Sequence, residues 1–594
     1  MRPLSSRSRR SFASGLTVIA SLVLTFQAAF AGGPPEKADP GLQNAIDQLN
    51  DRARAYGLAN HAPPSDPLGA ITDGFDVVGH NALGMRDASG DVWVHGDFAY
   101  VGTWGNPCTG RGVKIIDVSD PSAPRVIGSA AARRGTSAED MVVRAVSTPS
   151  FEGDLMIVGI QRCGRQGGPG AMYGAELWNV TDPRHPSRLG VINITNGGGG
   201  AHELDLIERG DHVYAALALP FSEWFDPVPV GDVAIFDVTD PRNPVMSSEW
   251  GVADDSLAGQ PGPFYGMGSF GAAFAHSVRF SGDGMKLYVS YWDRGVITLD
   301  IANVAAPVEL TATQYPPGQD GDLHSVTPYG PYLLTNDEDF DPRSPAAVWV
   351  DGSVIGYATE TPFVATALWD LNGSHEVSGD VVKALNEGCD AGDYGADAED
   401  AIVVVQTPIE FFSDAGALCP MWQQENEAEA AGAAMVVHRF DSVEISPQWW
   451  DFSEATIPVM FTDTATADGM VVEGTATVRA LEPTWGFLRV FNAATGVQVS
   501  QFDDVPNIND LAAAGNGFWS IHNTEVSGTI AYSAWYSNGI VALDLSDINN
   551  IQMVGQFVPA GFPEVWGVFI GEDGLIYASD LGSGLWIIEP TFDD

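Results

Sequence analysis

Four of the 11 histidines occupy one position in successive repeats of this 594-residue chain. They are His202, His276, His324 and His522, in the strings Ala201-His-Glu-Leu, Ala275-His-Ser-Val, Leu323-His-Ser-Val and Ile521-His-Asn-Thr. Asp140 and Trp566 hold the same position in two other repeats. Neutral imidazole binds zinc, copper and iron and is also a hydrogen-bonding group, so the pattern predicts either a site or a set of structural braces.

A second group of side chains is expected on the same face as these histidines. It consists of residues that end the second strand of several repeats: Trp104, Trp292 with Asp293, Asp337 with Glu338, and Trp535 with Tyr536. Because the second strand of an antiparallel pair ends beside the start of the first, imidazoles, carboxylates and indoles are predicted to surround one opening.

Three interpretations of this opening stay open. In the first, each histidine braces its strand by bonding to a neighbouring carboxylate or carbonyl group. In the second, aromatic walls and polar tips bind a glycan, a peptide or a small molecule. In the third, the four histidines hold a metal ion, which could be catalytic. A ring of seven repeats is expected to be too wide for four ligands to converge on one ion, which weighs against the third interpretation.

Several motifs that would identify an enzyme are missing from the sequence. His202-Glu203 and His375-Glu376 do not continue to the second histidine of an H-E-x-x-H helix, and there is no P-loop or G-x-S-x-G elbow. Asn336-Asp-Glu-Asp-Phe-Asp341 has oxygens for calcium but lacks the features of an EF-hand loop, so an acidic surface turn is the preferred interpretation. The sequence assigns no catalytic residue, and the cofactor stays open between none, calcium and a transition metal.

The elements that carry these residues form an internal repeat. The string Gly112-Val-Lys-Ile-Ile-Asp-Val-Ser-Asp-Pro-Ser-Ala-Pro124 returns at 175–186 and 232–244, with weaker copies at 295–307, 486–492, 539–547 and 584–590. Each copy follows a second apolar strand, and the Asp-Pro-x-x-Pro turn ends the strand because proline fixes φ and lacks the backbone donor. Seven copies predict a mainly β fold, a seven-bladed propeller of four-stranded units.

The ring is predicted to close through the two ends of the chain. The last repeat stops after its third strand, and Gly74-Phe-Asp-Val-Val-Gly79 has the pattern of the missing fourth strand. First strands line the axis of a propeller, so the histidines are expected around its central channel. The three full Asp-Pro-x-x-Pro copies resemble the LVIVD-repeat family of bacterial exported propellers. The resemblance covers roughly residues 70–340 and 484–594, and residues 32–70 are expected to be a linker or helical segment.

The repeat is interrupted between Phe340 and Pro483, within the fifth blade. A strand at 401–405, an alanine-rich helix around 428–434, a strand at 435–438 and the string Ile457-Pro-Val-Met-Phe461 follow one another there. This order resembles the protease-associated domain, a small α/β domain found beside many secreted peptidases. The resemblance implies an inserted domain at 341–483 that contacts a peptide or protein without performing chemistry.

Residues 1–31 predict an exported protein. Four arginines within residues 2–10 precede an apolar run from Leu16 to Phe30, and Ala29-Phe-Ala31 supplies the small residues of a cleavage site. The run is too short for a membrane span, so none is expected in the mature chain. Ser8-Arg-Arg-Ser-Phe12 also fits a twin-arginine motif, and both export routes stay open. The mature protein is expected to be secreted, periplasmic or on the cell surface.

Charge and cysteine content limit the partners and the compartment. The chain has 77 acidic against 28 basic residues and a formal charge of −49. Such a surface repels phosphates, which excludes nucleic acids and anionic lipids as partners. Four cysteines in an exported chain favour disulfides, and pairing within one structural unit predicts Cys108–Cys163 and Cys389–Cys419.

These patterns favour an exported binding protein over an enzyme. Its propeller would present a ligand face at the mouth, and the inserted domain would add a contact to a protein, peptide or glycan. The residues expected at that face are His202, His276, His324, His522, Asp140, Trp104, Trp292, Asp293, Trp535 and Trp566. The alternatives are a metal-dependent oxidoreductase or hydrolase that uses the four histidines, and a structural surface module.

Overall fold

The computed structural model of the chain is mainly β and contains seven blade-like sheets. It describes residues 69–84, 88–104, 110–162, 173–194, 200–220, 231–251, 274–292, 294–313, 315, 321–338, 345–360, 368, 375–406, 419, 421–440, 455–481, 486–503, 505, 519–561 and 563–592. The predicted export signal therefore lies outside the described residues, as do Cys108, Cys163 and Asp293. No helix within those ranges has the length and apolar character needed to cross a bilayer.

The described part of the chain starts with two short strands, β1 (Ile71–Asp73) and β2 (Phe75–Asn81), and then forms blades 1 to 4 in order. Blade 1 contains β3 (Ala88–His95), β4 (Phe98–Trp104), β5 (Val113–Asp117) and β6 (Arg125–Ala130). Blade 2 contains the short β7 (Thr136–Ser137) with β8 (Met141–Ser147), β9 (Glu152–Arg162), β10 (Gly174–Asn179) and β11 (Ser187–Asn193). Blade 3 contains β12 (Leu204–Arg209), β13 (His212–Ala218), β14 (Val233–Asp237) and β15 (Val245–Trp250). Blade 4 contains β16 (Ser277–Phe280), β17 (Lys286–Ser290), β18 (Val296–Asp300) and β19 (Val308–Ala312).

Blade 5 is split by the insertion, and blades 6 and 7 follow it. Blade 5 begins with β20 (Leu323–Tyr329) and β21 (Tyr332–Asp337). The insertion contains β22 (Pro345–Val350), β23 (Ser353–Glu360), β24 (Glu376–Lys383), β25 (Ile402–Gln406), β26 (Met435–Phe440), β27 (Val459–Asp463) and β28 (Thr475–Ala480). Blade 5 then resumes with β29 (Leu488–Asn492) and β30 (Gln498–Phe502). Blade 6 contains β31 (Thr524–Ser527), β32 (Ile530–Ala534), β33 (Ile540–Asp544) and β34 (Gln552–Val558), and blade 7 contains β35 (Val565–Ile570), β36 (Ile576–Asp580) and β37 (Gly584–Pro590).

The N-terminal strands close the ring, as the sequence predicts. β2 pairs antiparallel with β37 and supplies the fourth strand of blade 7, with Phe75 opposite Pro590. β1 pairs with β34 at the edge of blade 6, so the N-terminal segment holds the last two blades together. Gly74 between them has a φ of 71°, a conformation that favours glycine. Phe75 is buried between Tyr532 and Phe592, which anchors the turn.

The repeated aspartates are turn residues. In blade 1, Asp117 accepts hydrogen bonds from the backbone and the hydroxyl of Ser119, and Asp120 does the same for Ser122. Asp237 and Asp240 repeat the backbone bonds in blade 3. Such local bonds from Asp side chains favour turns over continued strands, which explains why the motif ends the third strand of each blade.

We expect Asp117→Asn to lower stability in a pH-dependent way. The hydrogen bond from Ser119 lowers the pKa of Asp117. The guanidinium groups of Arg184 and Arg125, whose Nη2 atoms lie 2.9 Å and 3.2 Å from Oδ2 of Asp117, lower it further. The contribution of a group with a lowered folded pKa is present above its unfolded pKa and is lost as the pH falls through the folded pKa. Urea unfolding should show a loss of about 1.5 kcal/mol at pH 7 that shrinks below pH 3. An equal loss at both pH values would contradict this assignment.

The insertion forms a closed barrel of seven strands, in the order β22, β23, β27, β26, β25, β24, β28. Strands β24 to β27 run parallel and the remaining pairs are antiparallel. Two helices flank it, α1 (Met421–Ala430) and α2 (Thr464–Glu473). Asp463 caps the start of α2 by accepting from the backbone N–H of Thr466. The helix expected at 428–434 is misplaced, since α1 ends at Ala430 and Gly432, with a φ of 92°, turns the chain toward β26.

The predicted disulfide Cys389–Cys419 is present in the inserted barrel and spans 30 residues. Closing a loop of that size removes conformational entropy from the unfolded chain, so we expect the double variant Cys389→Ser/Cys419→Ser to lose roughly 3 to 4 kcal/mol of barrel stability. Calorimetry of the full chain should show an earlier transition for the barrel while the propeller transition stays in place. A shift of both transitions together would contradict a local effect.

Candidate functional site

The first strands of the seven blades form a closed inner ring. Each of β3, β8, β12, β16, β20, β31 and β35 contacts the first strand of the next blade, and β35 contacts β3. His202, His276, His324 and His522 stand at the starts of these strands in blades 3 to 6, and Trp566 does so in blade 7. The repeat position is therefore brought to the axis, as the sequence predicts.

The four imidazoles lie against one another. The ring centroids of His202 and His276 are 4.2 Å apart, those of His276 and His324 4.2 Å, and those of His324 and His522 3.7 Å. All four are at most 3 % exposed. Neighbouring imidazoles lie this close because the inner strands pack directly together. Convergence of all four histidines on one ion is not observed among the described residues, where the possible metal-binding groups each combine two histidines with one carboxylate.

Two indoles complete this group into what we call the axial ring: His202, His276, His324, His522, Trp566 and Trp104. The ring centroid of Trp566 lies 4.1 Å from that of His522. The ring centroid of Trp104 lies 5.8 Å from that of Trp566 and 5.7 Å from that of His202. In blade 1 the repeat position is Gly90, where an added Cβ would stand 2.8 Å from the carbonyl oxygen of Glu139. The backbone of blade 2 thus fills the place of a seventh side chain.

The other predicted residues take different places around the ring. Trp292 is 5.0 Å from His276. Asp140 accepts a 2.8 Å hydrogen bond from the backbone N–H of Leu204 and so ties blade 2 to blade 3. Trp535 packs in a hydrophobic cluster with Phe502, and its neighbour Tyr536 is the side chain that reaches His522, at 5.9 Å between ring centroids.

Sequence reasoning missed three carboxyl groups at the axis, those of Asp91, Glu139 and Glu203. All three are at most 9 % exposed, and each adjoins the repeat position in its own strand. The available signal was this adjacency, since Glu203 follows His202 directly and Glu139 precedes Asp140. Together with Asp140 and Glu338 they place five acidic side chains at the centre of the propeller.

His202 is hydrogen-bonded at both ring nitrogens. Its Nε2 is 2.8 Å from Nε2 of His276, and its Nδ1 is 2.9 Å from Oε2 of Glu139 and 2.6 Å from Nε2 of Gln161. The indole N–H of Trp566 donates to the other oxygen of Glu139 at 3.1 Å. Hydrogen bonds therefore link Gln161, His202 and His276, while Glu139 accepts from Trp566 and lies at ion-pair distance from His202.

His324 and His522 differ from His202, because their ring nitrogens make no hydrogen bond of good geometry among the described residues, although the backbone of His522 approaches the His324 ring and the backbone of Trp566 approaches the His522 ring. Their Nε2 atoms face carboxylates instead. Nε2 of His324 is 3.3 Å from Glu203 and 3.9 Å from Glu338, and Nε2 of His522 is 3.9 Å from Glu338. Buried polar atoms are normally paired, so unpaired nitrogens aimed at carboxylates indicate a place for a cation.

Two overlapping groups have the separations of a metal site. Glu203, His276 and His324 form one, and His324, Glu338 and His522 form the other, with the ligand atoms of each within 4.8 Å of one another. Each group contains two imidazoles and one carboxylate, and His324 belongs to both. These five residues are called the axial ligand set below.

Burial gives these groups the protonation states that a metal needs from imidazole. Burial, reinforced by the neighbouring imidazoles, lowers the pKa of His276, His324 and His522 well below the usual value, so they are neutral near pH 7. Burial also raises the pKa of Glu203 and of Glu338, and nearby carboxylates add to the shift. Burial raises the pKa of Asp140 to about 8. A cation at the axis would offset this accumulation of buried acids.

Polar contacts hold both Glu338 and the residue before it, Asp337. Its carboxylate accepts a short hydrogen bond from the hydroxyl of Tyr536, and the preceding Asp337 pairs with the fully buried guanidinium of Arg489. Arg489 also lies 4.1 Å from the ring of Phe487. Asn336, Asp337 and Glu338 are each at most 2 % exposed, so this part of the expected acidic surface turn is wrong, and residues 339–341 lie outside the described residues.

We expect Arg489→Leu to destabilise the propeller by about 3 to 5 kcal/mol, because it leaves Asp337 as a buried carboxylate without its charged partner. Arg479→Leu is the matched control, since its pair with Glu376 is half-exposed and should contribute less than about 1 kcal/mol. Urea unfolding of both variants measures the difference. Similar losses in the two variants would contradict the special role of Arg489.

Comparison with known proteins supports the repeat architecture. The LVIVD repeat family matches residues 86–131, which cover blade 1, and six further blades follow the same strand order. The chain is a repeat β-propeller. No curated protein matches this propeller significantly in sequence.

Two solved structures resemble the chain weakly. The computationally designed Ika8 protein is 9 % identical, with a TM-score of 0.37 over 85 % of this propeller chain and 98 % of that chain. BSAP, a zinc aminopeptidase from Bacillus subtilis, is 16 % identical, with a TM-score of 0.19 over 28 % of this chain and 36 % of that chain. Scores this low carry no argument about function, which has to come from the site itself.

Proposed function

We propose that this propeller is a binding protein that holds a divalent transition-metal ion at its axis through Glu203, His276, His324, Glu338 and His522. The observation that carries the proposal is the pair of ligand groups that share His324, in which Nε2 of His324 and Nε2 of His522 face carboxylates without a hydrogen bond of good geometry. A brace would use those nitrogens, as His202 does.

The donor types favour zinc, copper or iron over calcium. Calcium prefers six to eight oxygen ligands, whereas imidazole nitrogen suits the transition metals. The axial ligand set offers three neutral imidazoles and two carboxylates, and an ion there would keep both carboxylates ionised. The hydrogen bonds from Gln161 to His202 and from His202 to His276 support a ligand in the usual way, by holding the orientation of its imidazole ring.

Metal analysis tests this proposal directly. The full chain, purified without an affinity tag, is expected to retain about one transition-metal ion per molecule, and the metal-free protein should bind Zn²⁺ or Cu²⁺ but not Ca²⁺ in calorimetric titrations. Absence of metal after purification, together with no binding of Zn²⁺, Cu²⁺ or Fe²⁺ at millimolar concentration, would remove the proposed function.

We also propose that the inserted barrel is a protease-associated-like module that contacts a peptide or protein. Its seven strands, two flanking helices and internal disulfide support this assignment, and the string Ile457-Pro-Val-Met-Phe461 leads into β27. Photo-crosslinking of the full chain with an unstructured peptide library tests it. Crosslinks should concentrate within 345–480, and crosslinks confined to the blades would contradict the assignment.

Export is proposed for the same protein on the basis of residues 1–31 and the disulfide of the barrel. The N-terminal residue of the protein recovered outside the cytoplasm should be Gly32. Recovery of the chain only in the cytoplasm, with residues 1–31 intact, would contradict export.

A further inference from the structure

A second set of side chains lies on the first strands of the blades, beyond the repeat position. Most of its members lie three residues further along the first strands than the repeat position, and every blade contributes one. We call this set the channel belt: Trp93, Arg144, Asp205, Arg279, Thr327, Glu525 and Phe569.

Arg279 is the central member of the channel belt. It begins in blade 4, donates to the hydroxyl of Thr327 in blade 5 at 2.8 Å, and reaches Glu525 in blade 6 at 2.5 Å. Because Glu525 is two blades away, the guanidinium lies across the inner face of blade 5, within the channel. Arg279 also interacts electrostatically with Asp205 and Glu203 of blade 3.

The rest of the channel belt continues around the axis. Arg144 approaches Asp205 at 3.5 Å and lies over the ring of Trp93, with 5.7 Å to its centroid. The rings of Trp93 and Phe569 are 4.8 Å apart. The four charged residues and Thr327 thus occupy blades 2 to 6, and the two aromatic residues occupy blades 7 and 1.

Arg279 and Glu525 are more exposed than the axial ligand set, whereas Asp205 and Thr327 of the channel belt are buried. The side chain of His324 is 0 % exposed and that of Glu203 11 %, whereas Glu525 and Arg279 are 29 % and 33 % exposed. Water therefore reaches the channel belt at Arg279 and Glu525. Between these residues and the imidazoles lie the carboxylates of Asp205, which accepts from the backbone N–H groups of Leu206 and Phe280, and of Glu203.

We infer that ions reach the axial ligand set through the channel belt and that Arg279 controls their passage. This inference rests on the proposed function. Carboxylates along a narrow path concentrate cations, but the guanidinium neutralises Glu525 and repels a divalent ion at the same place. An ion can pass only when Arg279 leaves Glu525 or moves aside, so Arg279 sets the rate of loading and of release.

Two variants with opposite expected effects test this inference. Arg279→Gln keeps a donor for Thr327 and removes the repelling charge, so metal-free full chain should take up Zn²⁺ at least tenfold faster. Glu525→Gln keeps the size of the side chain but leaves the charge of Arg279 uncompensated, so loading should slow at least threefold. Stopped-flow mixing with Zn²⁺ and a chromophoric zinc indicator measures both rates, and release to a chelator should change in the same directions.

Arg479→Gln is the matched control, because its ion pair with Glu376 has comparable exposure and lies in the inserted barrel. Its rates should equal those of the unaltered protein. Rates within twofold of the unaltered protein in both channel variants, with Zn²⁺ still bound stoichiometrically, would overturn the inference and place entry at the other end of the channel. If Arg279→Gln does not fold, the slowing in Glu525→Gln decides the question alone. A protein that binds no Zn²⁺ at all would instead remove the proposed function.

Discussion

His324→Gln is expected to abolish stoichiometric metal binding. His324 is the one residue common to both ligand groups, and its Nε2 faces both Glu203 and Glu338. Changing a residue that only orients a metal ligand costs about 10- to 100-fold in affinity, so loss of the shared ligand should exceed about 100-fold. Calorimetric titration with Zn²⁺ measures the change.

Three further measurements give this prediction its specificity. His212→Gln is the control, because His212 is half-exposed on blade 3, bonded to Asp237, and should leave binding unchanged. Glu139→Gln alters the orientation of His202, so its affinity for Zn²⁺ should lie between those of the other two variants, with a loss of about 10- to 100-fold. Retained Zn²⁺ binding in His324→Gln together with a large drop in melting temperature would show that the histidines are braces instead.

Removal of residues 1–82 is expected to produce the largest loss of stability. This deletion removes β1 and β2, so β37 and β34 both lose an edge partner and blade 7 is left with three strands. Burial of Phe75 alone is worth about 3 to 5 kcal/mol by comparison with other buried Phe→Ala changes. We expect the propeller transition to fall by more than 10 °C in calorimetry, or the protein to be recovered only as aggregate.

A chain that starts at residue 69 is the control, because it keeps both strands and removes only what precedes them. Phe75→Ala is the milder variant and should lower the free energy of unfolding by about 3 to 5 kcal/mol. Equal melting temperatures for the chains that start at 69 and at 83 would show that the ring does not depend on its N-terminal closure.

The blades and their closure could be predicted because local chemistry repeats. Asp-Pro-x-x-Pro ends a strand wherever it occurs, and an apolar segment at 74–79 matched a repeat that lacked its last strand. The histidines could be placed at the axis for the same reason, since His276 and His324 share both a register and a local string. Residues at the same position of the sequence repeat take equivalent places in their blades.

The rest of the site could not be predicted because it depends on residues that occur once. Glu139, Glu203 and Asp91 adjoin the repeat position in different ways, and only the packing of the inner strands brings them together. The backbone conformations of Tyr536 and Trp292 are a second reason why the site could not be predicted in full. Each has a positive φ, of 38° and 29°, and bridges to the next blade, which turns its side chain in a way that simple alternation does not predict.

The pairing of β2 with β37 also determines when the propeller can close during synthesis of the chain. Pro590 lies 515 residues after Phe75, so all the intervening blades must be synthesised before these partners can meet. Contacts between such distant positions form slowly. Until then β37 presents unpaired backbone amides and carbonyls, which are a template for association with other chains. Handling of the nascent protein, rather than its final fold, is therefore the step at which overproduction should fail first.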